Sequence, residues 1–173
     1  MGYKLLASAK SSEASSPGYY MEFTNIDQGY DDLLVKGWFQ SNHSVGQLQT
    51  IFKLGTSTTG YSRGWYVFSN GTMSRQSDGS QRMTVYSYGS SGGGAYREVF
   101  FENRIPRYSD TNYYKNSMNL SYSGANASYG DLEGTATIQT ANKYALTDLT
   151  IQMAQGYSIV GDSQWWLYGI KNS

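Results

Sequence analysis

The chain has 173 residues, 13 basic and 13 acidic residues, and no cysteine. This length suits one domain with a core large enough to be stable without cross-links, and the missing thiols exclude disulfides and thiolate metal sites. A net charge of zero excludes the basic surface that draws a protein to nucleic acid or to an anionic membrane.

Charged residues make up only 15% of the chain, well below the roughly 25% of average globular proteins, whereas Tyr and Gly are abundant. A surface rich in Tyr, Ser, Asn and Gly is typical of proteins that are mostly interface. No apolar run approaches the ~18 residues of a membrane span, and residues 1–7 lack the apolar core of a secretory signal. We therefore expect a protein that is made in a cytoplasm without a signal peptide.

Short runs of alternating apolar and polar residues follow one another along the chain, which predicts strands. In residues 32–40, for example, Leu33, Val35 and Gly37 face away from Leu34, Lys36 and Trp38. The predicted strands cover residues 3–9, 19–26, 32–40, 47–54, 65–69, 82–88, 96–105, 113–123, 135–140, 144–153 and 165–170.

The loops between these runs carry turn chemistry. Asn70-Gly71 and Asp78-Gly79 are hairpin signals, and residues 89–94 form a glycine-rich loop. Residues 55–64, 70–80 and 89–95 are predicted to project outward as loops.

Nine to eleven short strands without helical periodicity predict an all-β fold for the single domain, residues 1–173. A jelly-roll-like antiparallel two-sheet sandwich is the first choice, and an immunoglobulin-like sandwich is the second. The last two strands, within residues 144–170, are predicted to form a pair. The first of them alternates apolar and polar residues, whereas residues 165–170 are apolar on both faces, as expected for a strand with a covered outer side.

Catalytic chemistry finds little support in the sequence. His43 is the one histidine, and no nucleophile or acid is placed beside it, so a turn residue is the favoured interpretation. Glu98 and Glu102 lie on one strand face about 13 Å apart, too far for the ~5–9 Å between glycosidase carboxylates. We predict no catalytic residue, no cofactor and no enzymatic activity.

Two ligand classes remain to be weighed. Asp27, Asp31 and Asp32 offer hard oxygen ligands for calcium, but aspartates before a strand more often make turns, so no metal site is predicted. Aromatic side chains in loops stack on sugar rings, although core or interface roles are the more common ones. The candidates for such a ligand-facing role are Tyr61, Trp65, Tyr66, Tyr113 and Tyr114.

A succession of short segments resembles a family of small virion structural proteins of tailed phages, abundant among marine and cyanobacterial phages. The segments are Tyr-Lys-Leu-Leu-Ala-Ser at 3–8, Met-Glu-Phe-Thr-Asn-Ile at 21–26, Tyr-Asp-Asp-Leu-Leu-Val at 30–35, Gly-Tyr-Ser at 60–62, Arg-Ile-Pro-Arg-Tyr-Ser at 104–109 with Lys115 and Ser117 after it, and Gly-Asp-Ser-x-x-x-Leu-Tyr-Gly-Ile at 161–170. Arg107, Ile159 and Asp162 depart from the pattern, where Asn, Phe and an uninterrupted Gly-Ser are expected.

The resemblance implies a β-sandwich subunit of a virion, most simply a capsid decoration or cement protein, with no active site. We expect a homo-oligomer, a trimer first, that contacts itself and the major capsid protein or other virion proteins through Trp165, Trp166 and Tyr168. The rival interpretation is a carbohydrate-binding or receptor-binding module of a tail or head fibre, with a host-surface glycan as its partner.

Overall fold

The computed structural model describes residues 2–10, 20–41, 46–54, 62–69, 72–78, 83–89, 97–124, 131–139, 143–153 and 159–172. Side chains are described for residues 2–10, 22–38, 100–118, 120, 143–150 and 163–172. Within these ranges the regular elements are all strands, so the all-β prediction is confirmed.

The strands, in chain order, are β1 (Gly2–Lys10), β2 (Tyr20–Phe23), β3 (Asp32–Ser41), β4 (Gly46–Leu54), β5 (Ser62–Ser69), β6 (Thr72–Asp78), β7 (Met83–Gly89), β8 (Arg97–Pro106), β9 (Asn116–Gly124), β10 (Asp131–Gln139), β11 (Leu149–Met153) and β12 (Ile159–Lys171). They form two antiparallel sheets, in the orders β1-β12-β3-β8-β9-β10-β5-β6 and β2-β11-β4-β7. Between the sheets, β7 contacts β8, β9 and β10.

Three predictions about individual strands and loops are wrong. The last two strands do not pair, because β11 lies between β2 and β4 in the smaller sheet and β12 lies between β1 and β3 in the larger one. The stretch predicted as a loop at 70–80 contains β6, and residues 62–64 of another predicted loop begin β5. β6 is an edge strand in which Met73 is the one apolar residue, so it lacks the apolar alternation by which strands are recognised.

The core lies on one side of the larger sheet, where alternate residues of its central strands point inward. On β3, Leu33 and Val35 are buried on the core side, and Lys36 is exposed on the other side, although Leu34 on that side is only 4% exposed. The same alternation holds on β8, where Phe101 and Ile105 are buried and Glu102 is exposed. The buried apolar side chains include Phe23, Leu33, Val35, Phe101, Ile105, Tyr108, Leu146, Leu149, Trp165 and Leu167.

Candidate functional site

The opposite side of the larger sheet points away from this core and carries exposed apolar side chains. Neighbouring strands β1, β12, β3, β8 and β9 align these side chains in rows. One row is Ser8, Trp166, Lys36, Glu102 and Leu120, and the next is Leu5, Tyr168, Leu34, Arg104 and Met118. We call these two rows, together with Tyr3 and Phe100 beside them, the outer face.

Five apolar residues of the outer face are unusually open to solvent, whereas Leu34 within it is only 4% exposed. Tyr3, Leu5, Phe100, Met118 and Leu120 expose between 47% and 58% of their surface. The two aromatic side chains of β12 on this face are half-buried. A single exposed apolar residue is normal on a soluble protein, whereas several apolar side chains gathered around a charged centre on one sheet face are typical of surfaces that make protein–protein contacts.

One ion pair lies at the centre of the outer face. Lys36 Nζ is 2.9 Å from Glu102 Oε2, and the two side chains are 47% and 51% exposed. The hydrogen bond that Lys36 donates to Glu102 raises the pKa of the amine above its ordinary value, while partial burial opposes that rise. Such an exposed pair adds little to stability. Its main effect is that it places one positive and one negative charge, with no net charge, at the centre of the outer face.

A buried carboxylate holds the end of this sheet together. Asp32 is 4% exposed, and its Oδ2 accepts hydrogen bonds from Arg104 Nη2 at 2.5 Å and from Asn172 Nδ2 at 3.1 Å. Its Oδ1 accepts a hydrogen bond from the Arg107 amide at 3.0 Å. Burial alone would raise the pKa of Asp32, but these hydrogen bonds and the Arg104 charge lower it below its ordinary value. Asp32, at the start of β3, is therefore hydrogen-bonded both to the end of β8 and to the residue that follows β12.

The other two aspartates considered for calcium are also occupied by the chain itself. Asp27 Oδ1 accepts a hydrogen bond from the Gly29 amide at 2.9 Å, the turn role favoured by the sequence. Asp31 Oδ2 accepts one from the Asn172 amide at 2.7 Å. Among the described residues, no group of three or more His, Asp or Glu side chains is placed to hold a metal ion.

A cleft of about 480 Å³ opens beside the Asp32 cluster. Arg107 borders this cleft, and its guanidinium carbon lies 4.6 Å from the ring centroid of Tyr113. The Arg107 backbone has φ of 50°, a left-handed conformation that Asn adopts more readily than Arg. Asn at position 107 would adopt this conformation with less strain than Arg does.

A buried lysine supports the loop behind Tyr113. The Lys115 side chain is fully buried, and its Nζ donates hydrogen bonds to the carbonyl oxygens of Asp110 and Tyr113. Burial lowers the pKa of Lys115, while the Asp110 charge opposes that shift. The amine therefore serves to fix the loop from residue 110 to residue 115 rather than to face solvent.

The three aromatic residues predicted to form an interface lie in different environments in the structure. Trp165 is fully buried and packs edge-on against Phe101 at 6.2 Å between ring centroids, which corrects its assignment to an interface. Its neighbours Trp166 and Tyr168 lie on the outer face because successive side chains of a strand alternate between faces. Their role as contact residues stays a prediction.

The ligand-facing candidates are only partly described. Tyr113 and Tyr114 are 50% and 43% exposed, and Lys143 Nζ lies 5.4 Å from the Tyr114 ring centroid. Trp65 and Tyr66 lie on β5, in a stretch whose side chains are not described. Tyr61 and His43 lie outside the described residues.

Sequence reasoning did not single out most of the outer face. Tyr3, Leu5, Phe100, Met118 and Leu120 are its most exposed apolar members. The available signal was apolar residues on both faces of a strand, as in β8, where Phe100 adjoins Phe101. Two apolar faces indicate that both sides of a strand are covered, although only one of them belongs to the core.

In the described part of the chain, no helix has the length and apolar character needed to cross a membrane. Comparison of the chain with protein-family models, with curated proteins and with solved structures finds no match.

Proposed function

We propose that the protein is a non-enzymatic structural subunit of a tailed-phage virion, a capsid decoration or cement protein that acts by covering its outer face with other subunits. The observation that carries this proposal is the exposed apolar patch on a continuous sheet. The low content of charged residues supports it, since uncharged surface costs less to bury in an assembly. The resemblance to small virion proteins supports it independently.

We also propose that the two sheets stack as a jelly-roll-like sandwich. Contacts of β7 with β8, β9 and β10 support this arrangement. Buried residues on both sheets, Leu149 on β11 and Leu33 on β3, support it as well. In such a sandwich the inner side of the larger sheet is filled, which leaves its outer face for partners: a second copy, the major capsid protein or other virion proteins.

The experiment that tests the proposed role compares binding of variants to particles that lack the protein. We expect Trp166→Ala to bind such capsids at least about tenfold more weakly than the wild type, because truncating a central interface tryptophan commonly costs more than 1 kcal/mol. Co-sedimentation of purified protein with the capsids measures the binding.

Tyr113→Ala is the matched control, since it removes another exposed aromatic side chain that lies off the outer face. It should bind capsids as the wild type does. Undiminished capsid binding by Trp166→Ala would contradict the proposal.

A second candidate function is binding of a host-surface glycan. The observation that favours it is the cleft beside Arg107, with the exposed ring of Tyr113 against that side chain. An aromatic platform next to polar groups is a suitable surface for a sugar ring. Under this candidate we expect saturable binding on a glycan array that Tyr113→Ala abolishes and Trp166→Ala retains, the reverse of the capsid result.

A further inference from the structure

We infer that the outer face is the contact between two copies of this chain, which pack sheet on sheet about a two-fold axis between β3 and β8. The inference rests on the proposed structural role, and it identifies one partner of the outer face as a second copy of the same chain. The axis lies in the plane of the contact and runs along the strands. It relates β3 of one copy to β8 of the other, and β12 of one to β9 of the other, because the strand order is β12-β3-β8-β9.

Charge complementarity is the first argument for a second copy as the partner. Lys36 and Glu102 stand directly opposite each other on neighbouring strands β3 and β8. The proposed axis passes between them, so each Lys36 comes to lie over Glu102 of the other copy. Both side chains are about half exposed and so can reach across the contact. In a symmetric contact of this kind the favourable charge pairing occurs twice.

The apolar side chains give the second argument. The row of Lys36 contains Trp166 on β12 and Leu120 on β9, and the adjacent row contains Tyr168 and Met118 on the same two strands. The axis therefore places the two aromatic side chains of one copy opposite the flexible aliphatic side chains of the other. Aromatic rings pack well against Met and Leu, and a thioether adds a favourable contact of its own.

The size of the surface is sufficient for such a contact. The axis relates β12, β3, β8 and β9 of one copy to the same four strands of the other, and strands lie about 4.8 Å apart, which gives a width of about 19 Å. Side chains on one face repeat about every 6.7 Å along a strand, so four rows cover about 27 Å. The product is about 510 Å² per copy, or about 1,000 Å² for the pair, which reaches the lower limit of a specific interface.

A self-complementary face distinguishes this pair from the trimer expected from the sequence. A ring of three subunits needs a contact between two different surfaces, whereas a two-fold pair uses one surface twice. On the outer face Lys36, Glu102, the aromatic side chains of β12 and the aliphatic side chains of β9 lie on matching sides of a single axis. Arg104, which is paired with Asp32 of its own chain, comes to lie over Leu34 of the other copy. That arrangement favours two copies.

The test uses charge reversal and mixing, with the mass in solution measured by sedimentation velocity. At about 100 μM, above the micromolar affinity of weak interfaces of this size, the wild type should be dimeric. Lys36→Glu makes the central pair doubly negative and Glu102→Lys makes it doubly positive. Each variant alone should dimerise at least about tenfold more weakly, because like charges then face each other twice.

An equimolar mixture of the two variants should restore dimers. A loss of the ion pair within one chain cannot produce this rescue, because each variant still lacks it in the mixture. Lys4→Glu is the matched control, since it makes the same charge change on β1 but faces away from the outer face, opposite Gly169. It should dimerise as the wild type does.

Three results would overturn the inference: a monomeric wild type at this concentration, a trimeric mass, or a mixture that stays monomeric while the wild type dimerises. The wild-type mass decides the matter even if a variant folds poorly. Binding to capsids separates the two proposals. A monomer that binds them through Trp166 retains the structural role without the pair, whereas a dimer that ignores them retains the pair without that role.

Discussion

Replacement of Gly37 by alanine is expected to lower the free energy of unfolding by about 3 kcal/mol. Gly37 lies in the middle of β3 opposite Trp165, and a Cβ atom there would lie 2.8 Å from the Gln164 carbonyl oxygen and closer still to Trp165 Cδ1. The indole is fully buried, so it has little room to move. Chemical denaturation followed by tryptophan fluorescence measures the loss.

Gly2→Ala is the control for this substitution, because no atom lies within 4 Å of the added methyl group. It should leave the unfolding midpoint unchanged. Combined with Trp165→Leu, Gly37→Ala should destabilise by less than the sum of the two single costs, since the smaller side chain makes room for the methyl group. Equal stability of Gly37→Ala and the wild type would show that Trp165 does not occupy this position.

Asp32→Asn is expected to cost about 2–3 kcal/mol at neutral pH, because it removes the charge that a buried cluster of donors is built around. The value is at the low end for buried ion pairs, since the Arg104 side chain is 42% exposed and partly solvated. The neutral amide also turns one acceptor into a donor that faces other donors. Denaturant unfolding of both proteins at neutral pH measures the difference.

The pH dependence gives a sharper test of the same cluster. The pKa of Asp32 is lowered in the folded state, so its stabilising effect is fully present above the ordinary aspartate value of about 3.9. The effect is lost as the pH falls through the lowered folded value. The stability difference between the wild type and Asp32→Asn should therefore shrink in that acidic range. At neutral pH, Asp148→Asn should cost much less than Asp32→Asn, because the Asp148 carboxylate accepts its hydrogen bond from the neighbouring Thr147 hydroxyl at the surface.

The alternation of strands was predictable because it depends only on the chain itself. A strand turns successive side chains to opposite sides, so Leu33 and Val35 had to share a face that excludes Lys36. The sequence does not tell which side becomes the core. On β9, Ser117 is buried while Met118 and Leu120 are exposed, the reverse of the simple expectation. The register with β8 decides it, because Arg104 and Met118 stand side by side on the outer face.

The pairing of strands and the burial of polar groups could not be predicted from the sequence, because both depend on residues that are distant along the chain. Whether β12 joins β11 or instead lies between β1 and β3 depends on contacts between residues distant along the chain. Likewise, the local sequence pattern, an aspartate just before a strand, indicates only a turn residue at Asp32. Its burial follows from Arg104 and Asn172, which lie 72 and 140 residues away. From the sequence, Trp165 and Trp166 were equally good interface candidates. The strand register shows that Trp165 faces the core and Trp166 faces the opposite side of the sheet.

Oxidative footprinting of the outer face, read by mass spectrometry, is the most direct test of the account. Met118 is 54% exposed in the single chain and should be oxidised readily in dilute solution. In assembled particles Met118 and Trp166 should be protected, while Tyr114, which lies off the outer face, should react as before. Equal oxidation of Met118 in dilute solution and in particles would contradict the claim that this surface is where the protein meets its partners.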